Sequence, residues 1–214
     1  SIFDALRNSL ILAFSSSICA GAIGTLGALG MNRVKSKSAG IIEYISTIPI
    51  MIPEIILGMV LMAFFSLIGL PFGMTSLIIA HTAFCVPYVF TQVKARLVGM
   101  DKSYVEAAND LGAGNIRAFF DITLPLISPA IASGMLLSFA MSLDDFIISI
   151  FVTGANTNTL PIKIYTQLKT GVTPKTNALC TIMFAVSVVI CLLSVVIGRG
   201  TKNKNLKDER EEKL

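Results

Sequence analysis

Three acidic residues stand beside long uncharged stretches. Residues 8–32, 55–93, 122–143 and 176–198 contain no Asp, Glu, Lys or Arg, and Glu54, Asp144 and Asp145 sit at the edges of two of these runs. In a membrane helix each such carboxylate costs ~2.5–3.5 kcal/mol or more, and it usually marks a pathway or a buried partner. No Lys or Arg lies within these runs to pair with them, so a mobile cation would fill that role. Phe139, Phe146, Phe151 and Tyr88 add ring faces for cation–π contact. Three explanations compete. A cationic solute passes the acids, with Asp144 the leading contact and Asp145 the second. Alternatively, the acids pair with a second chain or cap a broken helix, or they are protonated. Adjacent helical residues point about 100° apart, so one of the two aspartates is free to act only as a cap or brace.

Other reactive residue types form no catalytic set. His81 and Cys85 share a helix face at a spacing of four, but a metal site needs more ligands than this pair. A hydrogen-bonded histidine inside a bundle is the expectation. Cys19, Cys85, Cys180 and Cys191 form no CxxC and lie in apolar runs, where free thiols serve as small apolar residues. No GxxxxGK[ST] loop, HExxH or Ser/His/Asp set is present. The chain is therefore expected to have no catalytic residue and no metal site, to bind no cofactor and to hydrolyse no ATP by the P-loop route.

The elements that would position these residues follow from hydropathy. Apolar residues make up 54% of the 214 and charged ones only 14%, against about 25% charged in soluble domains. This composition excludes an ordinary soluble enzyme, a disordered chain and a nucleic-acid-binding module. A bilayer core takes about 20 apolar residues as a helix, and backbone satisfaction in lipid makes such spans helical. The run 55–93 is too long for one span and breaks at Gly69-Leu70-Pro71-Phe72-Gly73, a turn signal. Five spans are predicted, at 9–31, 41–68, 75–96, 125–150 and 177–198. The second carries Glu43, Glu54, Pro49 and Pro53 and is expected to kink. Gly24, flanked at four-residue spacing by Ala20 and Ala28, predicts close helix approach.

Lys and Arg favour the cytoplasmic side. They cluster after the first span (Arg33, Lys35, Lys37), after the third (Lys94, Arg96, Lys102, Arg117) and in the tail (Arg199, Lys202, Lys204, Lys207, Arg210, Lys213). Arg7, Lys163, Lys169 and Lys175 fall on the other side. The C-terminus is therefore expected to be cytoplasmic and the start of the chain outside. A first residue Ser and no apolar leader in residues 1–7 predict that the natural chain begins earlier, with at least one further span. A genuinely five-span protein is the alternative. Leu160–Lys169, outside, reads as a short surface helix or an ordered loop packed on the bundle.

The stretch 100–125 is too ordered to be a plain connector. Asp101 is placed to cap a helix running to Leu111, and Gly112 suits the residue just past a helix end. Asn115 is placed to cap a second short helix, and Pro125 suits the first turn of the next span. Tyr104, Val105, Leu111, Phe119 and Phe120 would be exposed. From chemistry alone, this is either a rigid platform or an amphipathic segment lying on lipid.

Glu106-Ala107-Ala108, three residues, Gly112, nine residues, then Ile122-Thr123-Leu124-Pro125 resembles the EAA signature of ABC-importer permeases with unbroken spacing. The resemblance extends over nearly the whole chain from about Asn8. It implies the all-α, type I importer permease fold. On this reading residues 1–198 form the transmembrane domain, with a cytoplasmic coupling loop at 97–124, and 199–214 form a cytoplasmic tail. In that family the loop forms coupling helices that dock on the ATPase. Carried over, Glu106 makes polar contacts with the ATPase, Ala107 and Ala108 allow close packing, and Gly112 supplies the bend. Ile122, Leu124 and Pro125 complete the motif. The resemblance further implies a bacterial inner-membrane protein and three partners: a second permease, an ATPase dimer carrying ATP and Mg, and an external solute-binding protein.

Ser142-Leu-Asp-Asp-Phe146, Phe151-Val-Thr-Gly154, Leu160-Pro-Ile-Lys-Ile-Tyr165, Pro53-Glu54-Ile55 and His81-Thr-Ala-Phe-Cys-Val-Pro-Tyr88 are similar to the second permease subunit of spermidine/putrescine importers. Polyamines carry several ammonium groups, which would suit Glu54, Asp144 and Asp145, with Tyr88 and Phe146 beside the path. Permeases for iron or small organic cations share much of this wording and are the alternative. A stand-alone secondary cation transporter is a further rival, but it would usually show internal repeats, and it would leave the EAA loop without a role.

Overall fold

The computed structural model describes residues 2–33, 38–101, 103–155, 157–171 and 173–211. Lys35, Lys37, Lys102 and Lys213 lie outside these residues, and the side chains of Arg33, Lys175 and the tail 199–211 lie outside the description as well. Among the described residues the regular structure is all helical: α1 (Ile2–Arg33), α2 (Ser38–Met51), α3 (Glu54–Leu67), α4 (Met74–Val98), α5 (Ser103–Asp110), α6 (Asn115–Ala118), α7 (Leu124–Asp144), α8 (Ile147–Val152), α9 (Leu160–Thr170) and α10 (Pro174–Glu211). Among the described residues four helical segments are long and apolar enough to cross a bilayer, Ile2–Asn32, Met74–Val98, Asn115–Asp144 and Asn177–Ile197, and the bent pair Glu43–Met51 and Glu54–Leu67 makes a fifth if it counts as one span.

The expected second span, 41–68, is not one rod. Glu43–Met51 and Glu54–Leu67 meet at 109°. Pro53 has no N–H to continue α2, and its ring disfavours a helical residue before it. Ile52 closes the first helix on the carbonyl of Ile48, and Leu57 opens the second on that of Pro53. At the far end of α3, Gly69 (φ 70) turns the chain. Leu70 donates to Phe65 and Gly69 to Ser66, the bond pattern of a Schellman end.

The expected fourth span, 125–150, also breaks. Its helix stops at Asp144, residues 145–146 leave the helical path, and α8 restarts at Ile147. At its other end it starts earlier than expected. Asn115 through Asp144 runs on without interruption, through wide turns at 119–123 where the Leu124 N–H reaches the Phe119 carbonyl, five residues back. This widening lies just before Pro125, whose ring would crowd the carbonyl four residues back in a regular helix.

The core forms around α4. Leu77, Ala80, Phe84, Cys85, Val89, Val93 and Leu97 are buried on it, against Leu12, Ala20 and Ala28 of α1, Ile127 of α7 and Ile148 and Val152 of α8. Gly24 permits the α1–α4 approach, since a Cβ there would lie 2.9 Å from the Phe90 nitrogen and the Val86 oxygen. Serines bind α7 to α10: Ser133 donates to the Ser194 carbonyl and Ser194 to that of Ser133, each at 2.8 Å. Outward faces are apolar, as on α10 with Phe184 and Val196 exposed, as expected where lipid replaces water as the solvent.

Candidate functional site

At one end of α4, the loop 99–123 is built by local rules. Asp101 Oδ1 accepts from the Ser103 N–H at 2.9 Å and opens α5. That bond holds the Asp101 carboxyl below the usual carboxylate range. Gly112 (φ 86) ends α5. Gly112 donates to Asn109 and Ala113 to Ala108, each at 2.9 Å, so a second Schellman end sets the bend. Asn115 does not cap the next helix: Gly114 holds that position in extended backbone with no side-chain cap, and Asn115 is the first helical residue.

Glu106 and Ala107 are exposed on α5 and Ala108 is half-buried beneath them. Tyr104, Ile116 and Phe120 are exposed, and Leu111 is 90% exposed. Val105 and Phe119 are only half-buried. Ile122 and Leu124 are half-buried, and Pro125 is exposed. Glu106 also lines a cleft of about 480 Å³ between this platform and the ends of α1 and α4, with Leu29, Leu97 and Phe119. Two contacts join the bundle helices at the end of α4 nearest the platform. Lys94 pairs with Glu43 of α2, and Arg96 Nε donates to the Leu126 carbonyl at 2.9 Å.

Toward the other end, three elements bring the carboxylates together. Glu54 opens α3, Asp144 closes α7, and Asp145 and Phe146 form the break before α8. All four line one cleft of about 460 Å³ with Phe84, Ala140, Met141, Ile147 and Cys191. Tyr88 is half-buried further along α4, packed against the core rather than lining the cleft. Phe151 packs against α3, where a Cβ on Gly58 would approach its ring to 2.6 Å. Phe146 stacks on Tyr165 of α9, ring centres 4.5 Å apart, and the Lys169 ammonium lies 4.7 Å over the Tyr165 ring.

The two aspartates have different surroundings. Asp144 is exposed. The Asp145 side chain is only 5% exposed. Its Oδ1 accepts from the Ile148 N–H at 3.2 Å, and its Oδ2 accepts from the Ser149 N–H at 2.8 Å and the Ser149 hydroxyl at 2.9 Å. His81 Nε2 lies 3.3 Å from the same oxygen. The expectation that these acids lack an internal basic partner therefore fails for Asp145. The basic partner is neither Lys nor Arg but the lone histidine, 64 positions earlier. The available signal was Asp145 followed four residues on by Ser149, a pattern able to cap a helix start.

His81 is fully buried, as a hydrogen-bonded histidine inside the bundle. Its Nδ1 lies 2.7 Å from Ser142 Oγ and its Nε2 3.0 Å from Ser149 Oγ. The Ser16 hydroxyl of α1 stands 3.0 Å from that of Ser142. The four cysteines are free thiols. No grouping of three or more potential metal ligands occurs among the described residues. Leu160–Lys169 is a helix, α9, with Leu160 and Ile164 buried and the Leu160 N–H donating to Ser9 Oγ at 2.8 Å.

A broken-helix bundle with a helical platform at one end and an acidic cleft toward the other is the architecture of a transport permease. Residues 17–202 match the family described as "Binding-protein-dependent transport system inner membrane component", and the chain belongs to that family. It is thus a multi-pass inner-membrane transport subunit. It is 39% identical over 198 residues (92% of this chain, 77% of the relative) to the spermidine/putrescine transport system permease protein PotC of Haemophilus influenzae. Its identity to PotC of Escherichia coli K12 is 38% over 208 residues (97% and 79%). The putrescine transport system permease protein PotI of the same strain is 36% identical over 211 residues (95% and 75%). Among solved structures, the inward-facing MetNI methionine ABC transporter superposes with a TM-score of 0.75 at 18% identity, covering 94% of this chain and 95% of that one. A bacterial ABC transporter that imports the acidic polysaccharide alginate gives 0.72 at 20%, covering 92% and 78%. These two share the fold.

Proposed function

We propose that this chain is one permease of an ABC importer that carries polyamines, spermidine or putrescine, into the cell. The observation that carries the reading is the convergence of Glu54, Asp144 and Asp145 on one cleft, in a chain whose relatives at 36–39% identity are polyamine permeases. Ammonium groups spaced along a flexible chain pair with carboxylates on separate helices, and an aromatic wall at Phe146 adds cation–π attraction. Removal from bulk water strengthens each such contact.

The loop 99–123 supports coupling to an ATPase. Its Gly112 bend presents Glu106 and the apolar Leu111 and Ile116 on an otherwise unpartnered surface. ATP binding on the partner ATPase dimer would draw this platform inward. The rigid α4 above it would rock, and the cleft would open alternately to each side. ATP and Mg²⁺ belong to that partner, this chain binds no cofactor, and its C-terminus is cytoplasmic. An external solute-binding protein delivers the polyamine to a cavity between this permease and a second one.

Reconstitution tests the reading. Proteoliposomes with both permeases, the ATPase dimer and the binding protein should accumulate labelled spermidine or putrescine only with ATP. Uptake by this chain alone would instead make it a secondary transporter.

A further inference from the structure

We infer that His81 is a positioning residue for the carboxylate cleft. By holding Asp145 against the first turn of α8, it maintains the helix break that leaves Asp144 open to a cationic solute, without touching the solute itself. The inference rests on the carboxylate cleft read above as the polyamine path.

The hydrogen-bond roles follow from counting protons. The Ser149 hydroxyl has one, and it points at Asp145 Oδ2, 2.9 Å away. Ser149 Oγ can then only accept from His81 Nε2, at 3.0 Å. The Nε2 hydrogen therefore lies between Ser149 Oγ and Asp145 Oδ2, which is 3.3 Å from the nitrogen. On the other side of the ring, Ser142 Oγ faces Nδ1 at 2.7 Å, and Ser16 backs Ser142 at 3.0 Å. Phe84 packs edge-on against the ring at 5.4 Å. One imidazole thus joins α4 directly to α7 and α8, and through Ser142 to Ser16 of α1. Asp145, with four partners, is a fixed anchor. Asp144, one residue earlier, makes no hydrogen bond or ion pair with the described residues. Division of the acidic pair into an anchor and an open contact depends on a group that ends on neither face of the cleft.

The test uses side-chain reach. A Gln amide extends to the Nε2 position and an Asn amide only to that of Nδ1, so His81→Gln retains the Asp145 arm and His81→Asn loses it. Asp144→Cys is introduced into a chain whose Cys19, Cys180 and Cys191 are serine, and the full transporter is assembled in proteoliposomes. The thiol is then labelled with a cationic methanethiosulfonate reagent. Loss of a hydrogen bond to a charged group predicts labelling about tenfold slower with His81→Asn, and a return to within about threefold with His81→Gln. Equal rates for the two variants, or both within about twofold of the His81 chain, would overturn the inference. If His81→Asn does not assemble, Ser149→Ala removes an Asp145 partner and carries the same expectation. Without Asp144→Cys, the assembled transporter should bind spermidine about tenfold more weakly with His81→Asn while Vmax for uptake stays within about twofold. A Vmax loss at unchanged affinity would refute positioning. Should the His81 chain bind no spermidine yet the labelling pattern hold, the polyamine reading fails and the positioning role stands.

Discussion

Glu106 stands exposed on the first helical turn after Asp101, free to meet a partner. Glu106→Lys reverses that charge without disturbing a buried contact. ATP-driven uptake should be abolished while insertion and expression stay at wild type, and unchanged uptake in proteoliposomes would count against coupling here. Asp144 is the open member of the acidic pair. Asp144→Asn should weaken polyamine-stimulated transport about tenfold, the scale of one charged hydrogen bond, and leave complex assembly intact by size-exclusion. Uptake kinetics equal to wild type would remove Asp144 from the path.

At the scale of elements, close approach and end-capping explain the geometry. Gly24 lets α1 lie against the α4 backbone, whereas a Cβ on Gly30 would meet nothing within 4 Å. Gly24→Ala should therefore destabilise the bundle by ~1–3 kcal/mol through overpacking, and Gly30→Ala should leave thermal unfolding unchanged or raise it slightly through its better helix propensity. The start of α5 depends on pH. The Ser103 N–H bond lowers the pKa of Asp101, so its stabilising contribution is full above the ordinary carboxylate pKa. It is lost as the pH falls through the lowered value. Protection of the Ser103 amide in hydrogen exchange should decline over that acid range and be absent in Asp101→Ala at every pH.

At the scale of the molecule, α4 runs from the acidic cleft to the platform as one continuous helix, with Pro87 inside it. The platform and α9 are expected on opposite sides of the membrane. An impermeant thiol reagent should label Leu111→Cys only from the cytoplasmic face and Tyr165→Cys only from outside, in a chain lacking its exposed native cysteines. Labelling of Leu111→Cys from outside would place the platform on the wrong face and remove the coupling mechanism with it.

Much of this was legible in the residues alone. Spans around 9–31, 75–96 and 177–198 follow from hydropathy because lipid offers the backbone no partner, so each helix must satisfy its own N–H and C=O groups locally. The bend at Gly112 and the cap at Asp101 are local as well, set by bonds between residues a few positions apart. The failures share the opposite cause. The 109° turn at Pro53 exceeds the expected kink, the break after Asp144 stood only as one of three explanations for the acids, and the His81–Asp145 contact was not anticipated. Each depends on which helix lies beside which. Hydrophobic runs determined that the chain is a helical membrane bundle, and local spacing determined the bend at Gly112 within the loop before Pro125. Only the packing of α4 against α7 and α8 decided which aspartate is held and which is open, because a hydrogen bond between residues 64 positions apart forms through adjacency in space, which local spacing does not encode.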